Sequence, residues 1–344
     1  IHMSEDSKSS INNLIESSEK LLKRFLPDII KYSQKSNIYV IDNSSNDKSI
    51  DLIKNNFKKI KIIVLKKNYG YSKGYNIGLR KINDEILCLI NNDVKITQNW
   101  LNPILDFYNK NNKAGILQPH IMSLLNKNKF EYAGAAGGFI DKLGYPFCKG
   151  RLFNHLEKNN KQYDINSQIF WASGSCFFIK NSLFKSLNGF DEDFFAHQEE
   201  IDLCWRAKIN GIEIWSIYNS KVYHLGGGTI NYNNPRKTFL NHRNNLLMLI
   251  KNLPDNLFYK ILIKRFFLDL ITSFWHFLNL RPKHSFSIIK AYGYLIYFYN
   301  RIKKRRIKSN NYNKYFIINN LPYSYFIKGL KKYTDLKVNN NNLC

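Results

Sequence analysis

A regular alternation of short apolar runs with helical segments most constrains what this chain can fold into. Apolar runs at 37–41, 60–65 and 85–90 are separated by segments whose apolar residues recur at helical spacing. The first run ends at Asp42-Asn43 and the third at Asn91-Asn92-Asp93. Parallel strands joined by helices bring their carboxyl ends to one sheet edge, where ligands bind. The alternation therefore predicts an α/β fold, with a mostly parallel, mixed sheet flanked by helices and a polar site at its carboxyl edge.

Composition changes along the chain and predicts two parts. Beyond Pro235 the pattern is helical, basic and aromatic. The net charge of the 344 residues is +26, and residues 230–344 carry 21 Lys and Arg residues against three Asp residues. We therefore expect a principal domain at 1–245, with an atypical polar and helical start at 1–36, and a basic helical extension at 246–344. Such an extension suggests a polyanionic partner, either nucleic acid or an anionic membrane surface.

Other features exclude several classes of protein. Hydrophobic residues at 44% and aromatic residues at 15% rule out intrinsic disorder for the chain as a whole. Five cysteines without a CxxC pair predict neither a disulfide framework nor a zinc site, and they favour a reducing, cytosolic compartment. No secretory signal is recognised at the start. The apolar stretch at 266–280 is too short to cross a bilayer and contains Asp269 and His276, so no transmembrane span is predicted.

Two acidic clusters carry the residue types that phosphate and sugar chemistry needs. Asp93 follows an apolar strand, and a carboxylate there can hold a divalent cation against a diphosphate. A simple turn is about equally favoured, because Asn and Asp are common turn residues. The second cluster is Glu199-Glu200-Ile201-Asp202, at the start of a predicted helix. Acids in a first helical turn more often serve the helix dipole than catalysis. Three acids in four residues exceed what capping requires, so one of them is a candidate general base.

Four segments, in this order, resemble family 2 glycosyltransferases of the GT-A fold. The branch that they resemble includes rhamnosyltransferase-like enzymes of bacterial surface-polysaccharide synthesis. Together the segments cover roughly residues 37–245, and their order and spacing make the resemblance specific. The segments are 40–47 (VIDNSSND), 68–78 (NYGYSKGYNIG), 89–94 (LINNDV), and 189–195 (GFDEDFF) continuing through 199–206 (EEIDLCWR) to Val222-Tyr223-His224.

The resemblance implies a site for a nucleotide-sugar donor and a divalent metal, Mg²⁺ or Mn²⁺. Asp93 corresponds to the last acid of the family's DXD-like motif, in which Asn91 replaces the first acid. His224 stands where related enzymes supply a histidine ligand, whereas a lone His beside glycines would otherwise more often be structural. The residues implied for nucleotide-sugar binding are Asp42, Asn43, Asn68, Gly70, Gly74, Asn76 and Asn92.

The resemblance also assigns catalytic and acceptor roles. Glu200 matches the second acid of the family's ED pair and is the expected general base for inversion at the anomeric carbon, with Glu199 and Asp202 as further catalytic candidates. The acceptor side is expected to include an aromatic residue, a hydroxyl and a glycine. For the tryptophan, core packing and sugar stacking are equally favoured. These acceptor candidates are Trp171, Ser173 and Gly174.

One departure from the family is that its first strand is apparently missing, since nothing before Ile38 reads as an apolar strand. The leading hypothesis remains an inverting glycosyltransferase that moves a sugar, plausibly from dTDP-rhamnose, to a cell-surface polysaccharide or a lipid-linked acceptor. The alternatives are a catalytically impaired relic that binds nucleotide sugars and, less favoured, a nucleic-acid-binding protein.

The extension gives an expectation about location. Six apolar residues at helical spacing, with the basic cluster at 301–308, suit an interfacial element on the inner face of the cell membrane. Packing of the same apolar face against the catalytic domain is the slightly favoured alternative. We therefore expect a cytoplasmic protein, peripheral on an anionic membrane, with no specific nucleic-acid partner. The six residues are Phe266, Phe267, Leu270, Phe274, Trp275 and Phe277.

Overall fold

The computed structural model describes residues 2–3, 18–34, 36–226, 234–307 and 312–339. The helices are α1 (Ser18–Tyr32), α2 (Ser49–Asn56), α3 (Gly70–Leu79), α4 (Asn102–Lys110), α5 (Asn181–Ser186), α6 (Glu199–Ile209), α7 (Pro235–Asn252), α8 (Phe258–Leu278), α9 (Pro282–Tyr297) and α10 (Tyr299–Lys304). The strands are β1 (His2–Met3), β2 (Tyr39–Asp42), β3 (Lys61–Val64), β4 (Ile86–Ile90), β5 (Val94–Ile96), β6 (Ala114–Ser123), β7 (Gly138–Ile140), β8 (Pro146–Cys148), β9 (Arg151–Leu152), β10 (His155–Leu156), β11 (Ser167–Gln168), β12 (Cys176–Lys180) and β13 (Glu213–His224).

The strands form three sheets. The first, β1-β2-β3, is parallel, as the alternation of strands and helices predicts. The second has the order β11-β13-β6-β12-β4, with β5 paired to β13. Only β6 and β13 run parallel among its described pairings, so antiparallel pairs are more numerous there than the sequence predicts. The reason is that β12 lies between β4 and β6 and runs antiparallel to both. The chain that leads to β12 does not show the strand–helix alternation from which parallel pairing was predicted.

The third sheet lies within residues 138–156, in a part of the chain rich in glycine and aromatic residues. Its strands pair antiparallel in the order β10-β9-β8-β7. Gly134 and Gly137 have positive φ values of 113° and 114°, which side chains rarely adopt. A Cβ on Gly134 would also lie 2.4 Å from the Cβ of Ser173. These glycines therefore let the segment fold closely against the strand region that carries the predicted acceptor residues.

A two-residue strand, β1, precedes α1 at the edge of the first sheet. His2 and Met3 pair in parallel with Ile41 and Asp42 of β2. It is only two residues long, and no described strand joins β2 to β4. A cavity of about 260 Å³ lies between those strands, lined by Tyr39 and Ile41 on one side and by β4 on the other. The first and second sheets are therefore separate in the described chain.

The extension shares its core with the rest of the molecule. The predicted boundary at 245/246 falls inside α7, a continuous helix. The ring of Trp205, on α6, stacks on that of Tyr315 at 4.8 Å between centroids. The backbone N–H of Leu321 donates to Asp141 Oδ2 at 2.7 Å, so the last segment returns to the third sheet. Residues 246–339 thus complete one hydrophobic core with the first part of the chain.

The basic cluster at 301–308 has partners inside the protein. Arg301 and Arg305 pair with Asp193, and Arg305 also lies 2.9 Å from Asp191. Arg306 donates to the carbonyl groups of Ile250 and Leu253. Lys308 lies outside the described residues. Arg301 and Arg305 therefore link the extension to the acidic Gly189–Phe195 motif, and Arg306 anchors the end of α7.

Candidate functional site

Half of the sixteen predicted site residues line one cavity. It has a volume of about 500 Å³ and opens between the second sheet, the third sheet and helices α6, α7 and α8. Eight of the predicted site residues line it, and they belong to the catalytic, metal, acceptor and nucleotide groups. Those eight are Gly70, Asn91, Trp171, Ser173, Gly174, Glu199, Glu200 and His224.

Glu199 and Glu200 begin α6 at the wall of this cavity. Burial and the neighbouring Glu200 carboxylate raise the pKa of Glu199 well above its usual value. Burial raises the pKa of Glu200 to about 7, although backbone N–H groups at the helix start oppose that shift. Within the described residues, Oε2 of each glutamate is buried and has no hydrogen-bond partner. A cavity-lining carboxyl with a pKa near neutrality and an unpartnered oxygen suits a general base.

A strained turn that α7 holds in place presents this pair to the cavity. His197 and Gln198 are consecutive non-glycine residues in the left-handed region, with φ values of 74° and 69°. Asn244 of α7 donates to the carbonyl groups of Ala196 and His197, at 2.7 Å each. Asn245 donates to Oε1 of Gln198 at 2.9 Å. Helix α7 therefore positions the candidate base, a role that the sequence analysis does not predict.

Asp202 belongs to the same acidic cluster but faces away from the cavity. It is fully buried and accepts from Lys251 Nζ and Asn252 Nδ2 at 2.8 Å each, and from Arg206 Nε at 2.9 Å. Burial raises its pKa, but the positive charges of Lys251 and Arg206 outweigh that effect and lower it to about 2. Asp202 is therefore an ion-pair residue that links α6 to α7. Its position on α6 directs its side chain into the protein interior and away from the cavity.

The metal candidates lie at the ends of neighbouring strands. Asp93 Oδ2 is 3.1 Å from His224 Nε2, and Asp93 Oδ1 is buried without a partner among the described residues. Glu131 Oε1 is 3.2 Å from the other ring nitrogen of His224. Burial lowers the pKa of His224, but the carboxylates of Asp93 and Glu131 raise it further, so the net result is well above the usual value.

These residues fit a divalent cation that also binds a diphosphate. Mg²⁺ and Mn²⁺ are commonly held by one or two protein groups together with phosphate oxygens and water. Asp93 has an unpartnered oxygen and lies 3.1 Å from His224 Nε2, while a Glu131 carboxylate oxygen lies 3.2 Å from the other ring nitrogen, the kind of contact that orients a metal-binding histidine. Asn91 lines the cavity. No group of three His, Cys, Asp or Glu side chains with metal-binding geometry occurs among the described residues.

Asp42 is the nucleotide candidate with a vacant acceptor. It is buried at the end of β2, where Oδ1 accepts from the backbone of Ser45 and Oδ2 has no partner in the described structure. Asn43 and Asn68 instead brace the turn before α3. Asn43 donates to Asn68 Oδ1 and to the carbonyl of Gly70, both at 3.1 Å. Gly70 has a φ of 75° and contacts Phe195, where a Cβ would lie 2.5 Å from the carbonyl oxygen.

The other nucleotide candidates lie apart from the cavity wall. Asn76 exchanges two hydrogen bonds with the backbone of Phe190, at 2.8 and 2.9 Å, and so fixes the Gly189–Phe195 motif. Gly74 is buried within α3. Asn92 is partly buried in the turn between β4 and β5. None of these three residues lines the 500 Å³ cavity.

The acceptor candidates form a continuous wall. The indole N–H of Trp171 donates to the carbonyl of Phe139 at 2.9 Å, which fixes a ring that is almost fully buried. The backbone N–H of Ser173 donates to Gln118 Oε1 at 2.8 Å. The hydroxyl of Tyr71 donates to the carbonyl of Gly174 at 2.6 Å, and a Cβ on Gly174 would lie 3.5 Å from the Glu200 carboxyl carbon. Gly174 therefore keeps space beside Glu200.

The sequence analysis misses two groups of cavity residues. Glu131 and Arg151 come from the glycine- and aromatic-rich segment at 131–151, whose composition is the one signal in the sequence that could have pointed to them. The second group comes from helices α7 and α8, where nothing in the sequence pattern points to the site. It contains Lys237, Thr238, Asn241, His242, Asn245 and Arg265.

Comparisons with known proteins agree with this architecture. The family model described as glycosyl transferase family 2 matches residues 12–187. The low-salt glycan biosynthesis hexosyltransferase Agl10 of Haloferax volcanii is 29% identical over 152 residues, 43% of this chain and 46% of that protein. The N-acetylglucosaminyl-diphospho-decaprenol L-rhamnosyltransferase of Mycobacterium tuberculosis is 23% identical over 198 residues, 53% of this chain and 64% of that protein. The dTDP-rhamnosyl transferase RfbF of Shigella flexneri is 24% identical over 237 residues, 64% of this chain and 72% of that protein.

Solved structures show the fold. S. aureus TarS 1–349 in complex with UDP-GlcNAc has a TM-score of 0.53 at 16% identity, covering 84% of this chain and 81% of that one. GalNAc-T7 with UDP, GalNAc and Mn²⁺ has a TM-score of 0.52 at 17% identity, covering 67% of this chain and 45% of that one. The fold is thus the GT-A fold expected from the four sequence segments. The chain spans about half to two thirds of the length of Agl10 and of the mycobacterial relative.

Proposed function

Because the chain belongs to glycosyl transferase family 2, we propose that it is an inverting glycosyltransferase acting on a nucleotide-sugar donor. One observation carries the proposal. A single cavity is lined by Glu200, a carboxyl with a pKa of about 7, and by His224, which contacts the carboxylate of Asp93. Transfer needs a base for the acceptor hydroxyl and charge compensation for the leaving diphosphate, and this cavity offers residues for both.

The proposed mechanism assigns one task to each group. Glu200 accepts the proton of the acceptor hydroxyl on its carboxylate, whose pKa burial raises to about 7. Trp171 and Gly174 shape the acceptor side. Asp93 and His224 would hold Mg²⁺ or Mn²⁺, with Asn91 beside them. When bound, the cation supplies positive charge that stabilises the departing nucleoside diphosphate.

The donor is proposed from the chemistry of the relatives. RfbF is named a dTDP-rhamnosyl transferase and the mycobacterial relative an L-rhamnosyltransferase, so dTDP-rhamnose is the first donor to test. We assign Oδ2 of Asp42, which is buried without a partner in the described structure, as the acceptor for the N–H of a pyrimidine base. The neighbouring structures contain UDP or UDP-GlcNAc, which makes uridine diphosphate sugars the second class to test.

The proposed acceptor is a glycan or a lipid-linked sugar at an anionic membrane surface. The mycobacterial relative is named for a diphospho-decaprenol acceptor. Helices α7 and α8 line the cavity, so we propose that an acceptor delivered along them reaches Glu200. We also propose a peripheral location on the inner face of the membrane.

Glu200→Gln tests the base assignment. With purified protein, Mn²⁺ and dTDP-rhamnose, we expect transfer or donor hydrolysis to fall by about 100-fold to 10,000-fold, the usual contribution of a general base. Wild-type turnover should rise with pH through about 7 and then level off, because the base must be deprotonated. Glu213→Gln is the matched control, since Glu213 binds Asn111 and Trp215 away from the cavity. Undiminished turnover of Glu200→Gln would remove the base assignment.

A second candidate is a protein that binds nucleotide sugars without turning them over. The two-residue β1 and the cavity between β2 and β4 favour it, because they separate the sheet edge that holds Asp42 from the edge that holds Asp93. Thermal stabilisation by one nucleoside diphosphate, with no turnover of any sugar donor, would establish this alternative. Salt-sensitive binding of DNA or RNA without nucleotide-sugar binding would instead support a nucleic-acid-binding protein.

A further inference from the structure

The helical hairpin formed by α8 and α9 buries several polar side chains beside apolar ones and exposes many large apolar side chains. Along α8 the buried face includes Arg265, Asp269 and Ser273. The outward residues of α8 are almost all large and apolar, each between 42% and 69% exposed. They are Tyr259, Ile263, Phe266, Phe267, Leu270, Ile271, Phe274, Trp275, Phe277 and Leu278. This corrects the slightly favoured expectation that these aromatic residues pack against the catalytic domain.

The second helix of the hairpin continues the same apolar surface. The buried face of α9 includes His284, Ser285 and Ser287, and the hydroxyl groups of Ser273 and Ser285 lie 2.8 Å apart between the two helices. The outward residues include Phe286, Ile289, Ile296 and Tyr297, and Leu280 at the tip of the hairpin is 91% exposed. A water-exposed helix normally has the opposite arrangement. We call the outward residues of 258–297 the hairpin face.

The charges on the hairpin face have one sign. Asp269 is the only acid between residues 258 and 297, and it is fully buried against Arg265. Five cations of the same range are exposed, namely Lys260, Lys264, Arg281, Lys283 and Lys290. Two copies meeting face to face would bring ten cations together without an exposed acid from either hairpin. Anionic lipid headgroups complement this surface.

We propose that the hairpin face docks on an anionic lipid bilayer, with its aromatic side chains in the interfacial region and its lysines and arginines among the headgroups. Among the described residues, no helix is both long and apolar enough to cross a bilayer, so the hairpin lies in the surface plane. Trp275, Tyr259 and Tyr297 supply the amphipathic rings typical of that region. The 21 residues of α8 extend over about 32 Å at 1.5 Å per residue.

Side-chain contacts connect the hairpin to the candidate active site. Arg265, on the buried side of α8, lines the cavity and donates to Asn245 Oδ1 at 2.7 Å. Asn245 in turn holds Gln198, which precedes Glu199. A bilayer against the hairpin face therefore lies one helix thickness from the cavity wall. That an acceptor embedded in this bilayer reaches the site rests on the proposed transferase function, whereas docking itself does not.

Vesicle flotation with the full chain tests the docking. We expect the protein to float with phosphatidylcholine–phosphatidylglycerol vesicles and to bind phosphatidylcholine vesicles much more weakly. Combined Phe274→Ser, Trp275→Ser and Phe277→Ser should lower the binding constant roughly tenfold or more, since each substitution removes apolar area that would be buried. Combined Val64→Ser, Leu125→Ser and Ile165→Ser is the matched control, because those side chains are equally exposed but lie outside the hairpin. This control should float like the wild type.

The charge contribution is tested with a second pair of variants. Combined Lys260→Glu, Lys264→Glu and Lys283→Glu should weaken flotation with anionic vesicles, whereas Lys54→Glu, Lys58→Glu and Lys59→Glu should not. Raising the salt from 0.1 M to 1 M should weaken wild-type binding as well, because the Debye length falls from about 10 Å to about 3 Å. Far-UV circular dichroism and melting curves verify that the variants are folded.

Three results would overturn the docking proposal. The first is failure of the wild type to float with either kind of vesicle. The second is flotation of the serine variant of the hairpin to the same extent as the wild type. Alternatively, sedimentation would show a wild-type dimer that the serine variant of the hairpin converts to monomer, which would identify a second copy as the occupant. Flotation needs no turnover, so a failed transferase assay leaves this test intact.

Discussion

At the scale of single residues, one acidic cluster divides into two environments. Glu200 faces the cavity with a pKa of about 7, whereas Asp202, two positions on, is buried against Lys251 and Arg206 with a pKa of about 2. Successive residues of a helix point about 100° apart, so neighbours in sequence need not share an environment. The difference in pKa separates a candidate base from a structural ion pair.

Asp202→Asn should destabilise the fold. We expect a loss of about 3 kcal/mol in the free energy of unfolding, the lower end of the range for a broken buried ion pair. The lower end applies because Lys251 also pairs with Asp191, at 2.6 Å, and would still have that partner in the variant. Urea denaturation measures the loss. Asp255→Asn removes an exposed partner of Arg306 and should cost less than about 1 kcal/mol.

The stabilising effect of Asp202 should also depend on pH. Its folded-state pKa lies below the usual 3.8, so its contribution is fully present above about 3.8 and is lost as the pH falls through about 2. The stability difference between wild type and Asp202→Asn should therefore be constant near neutrality and narrow in acid. A difference that stayed constant down to the acid limit would contradict the ion-pair role.

Glu131 is a positioning residue for His224, and Glu131→Gln should weaken metal binding. The carboxylate fixes which ring nitrogen faces Asp93, and loss of such a contact typically lowers metal affinity about tenfold or more. Electron paramagnetic resonance of free Mn²⁺, titrated in the presence of a nucleoside diphosphate, measures this without turnover. Glu213→Gln should bind Mn²⁺ like the wild type. Equal affinities for Glu131→Gln and wild type would exclude the role.

At the scale of elements, pattern recognition locates helices but not always the face that they bury. The periodicity of α8 was evident, yet a hydrophobic stripe can face a protein core or a lipid surface. Only the positions of Arg265 and Asp269, inside the hairpin, show that this stripe faces outward. The short β1 and the cavity beside β2 are likewise invisible in the sequence, because a two-residue strand carries no periodicity.

At the scale of the whole molecule, the two predicted parts, 1–245 and 246–344, differ in net charge but share one hydrophobic core. The acids of the Gly189–Phe195 motif bind arginines of α10 and the segment after it, and residues 312–339 pack on the third sheet. One hydrophobic cluster contains residues from both sides of the predicted boundary. The extension therefore contributes to the stability of the site that it lines.

The full chain should unfold in a single cooperative transition. Tryptophan fluorescence and far-UV circular dichroism should give the same urea midpoint, since a shared core cannot unfold in parts. A chain ending after Asn245, which cuts α7 and removes Lys251 from Asp202, should be insoluble or lack a cooperative transition. Two separated transitions, or a stable fragment 1–245, would show that the extension is an independent domain.

The sequence by itself determined the family, the alternation of strands and helices, and the chemical identity of the acids and the histidine at the site. These follow from local periodicity and from short motifs, both of which can be recognised without knowing any tertiary contact. Only the tertiary structure decided which acids share the cavity, that Glu131 contacts His224, and that the extension supplies one wall and turns its apolar side outward. Those outcomes depend on contacts between residues tens to more than a hundred positions apart, and no local pattern encodes which of them form.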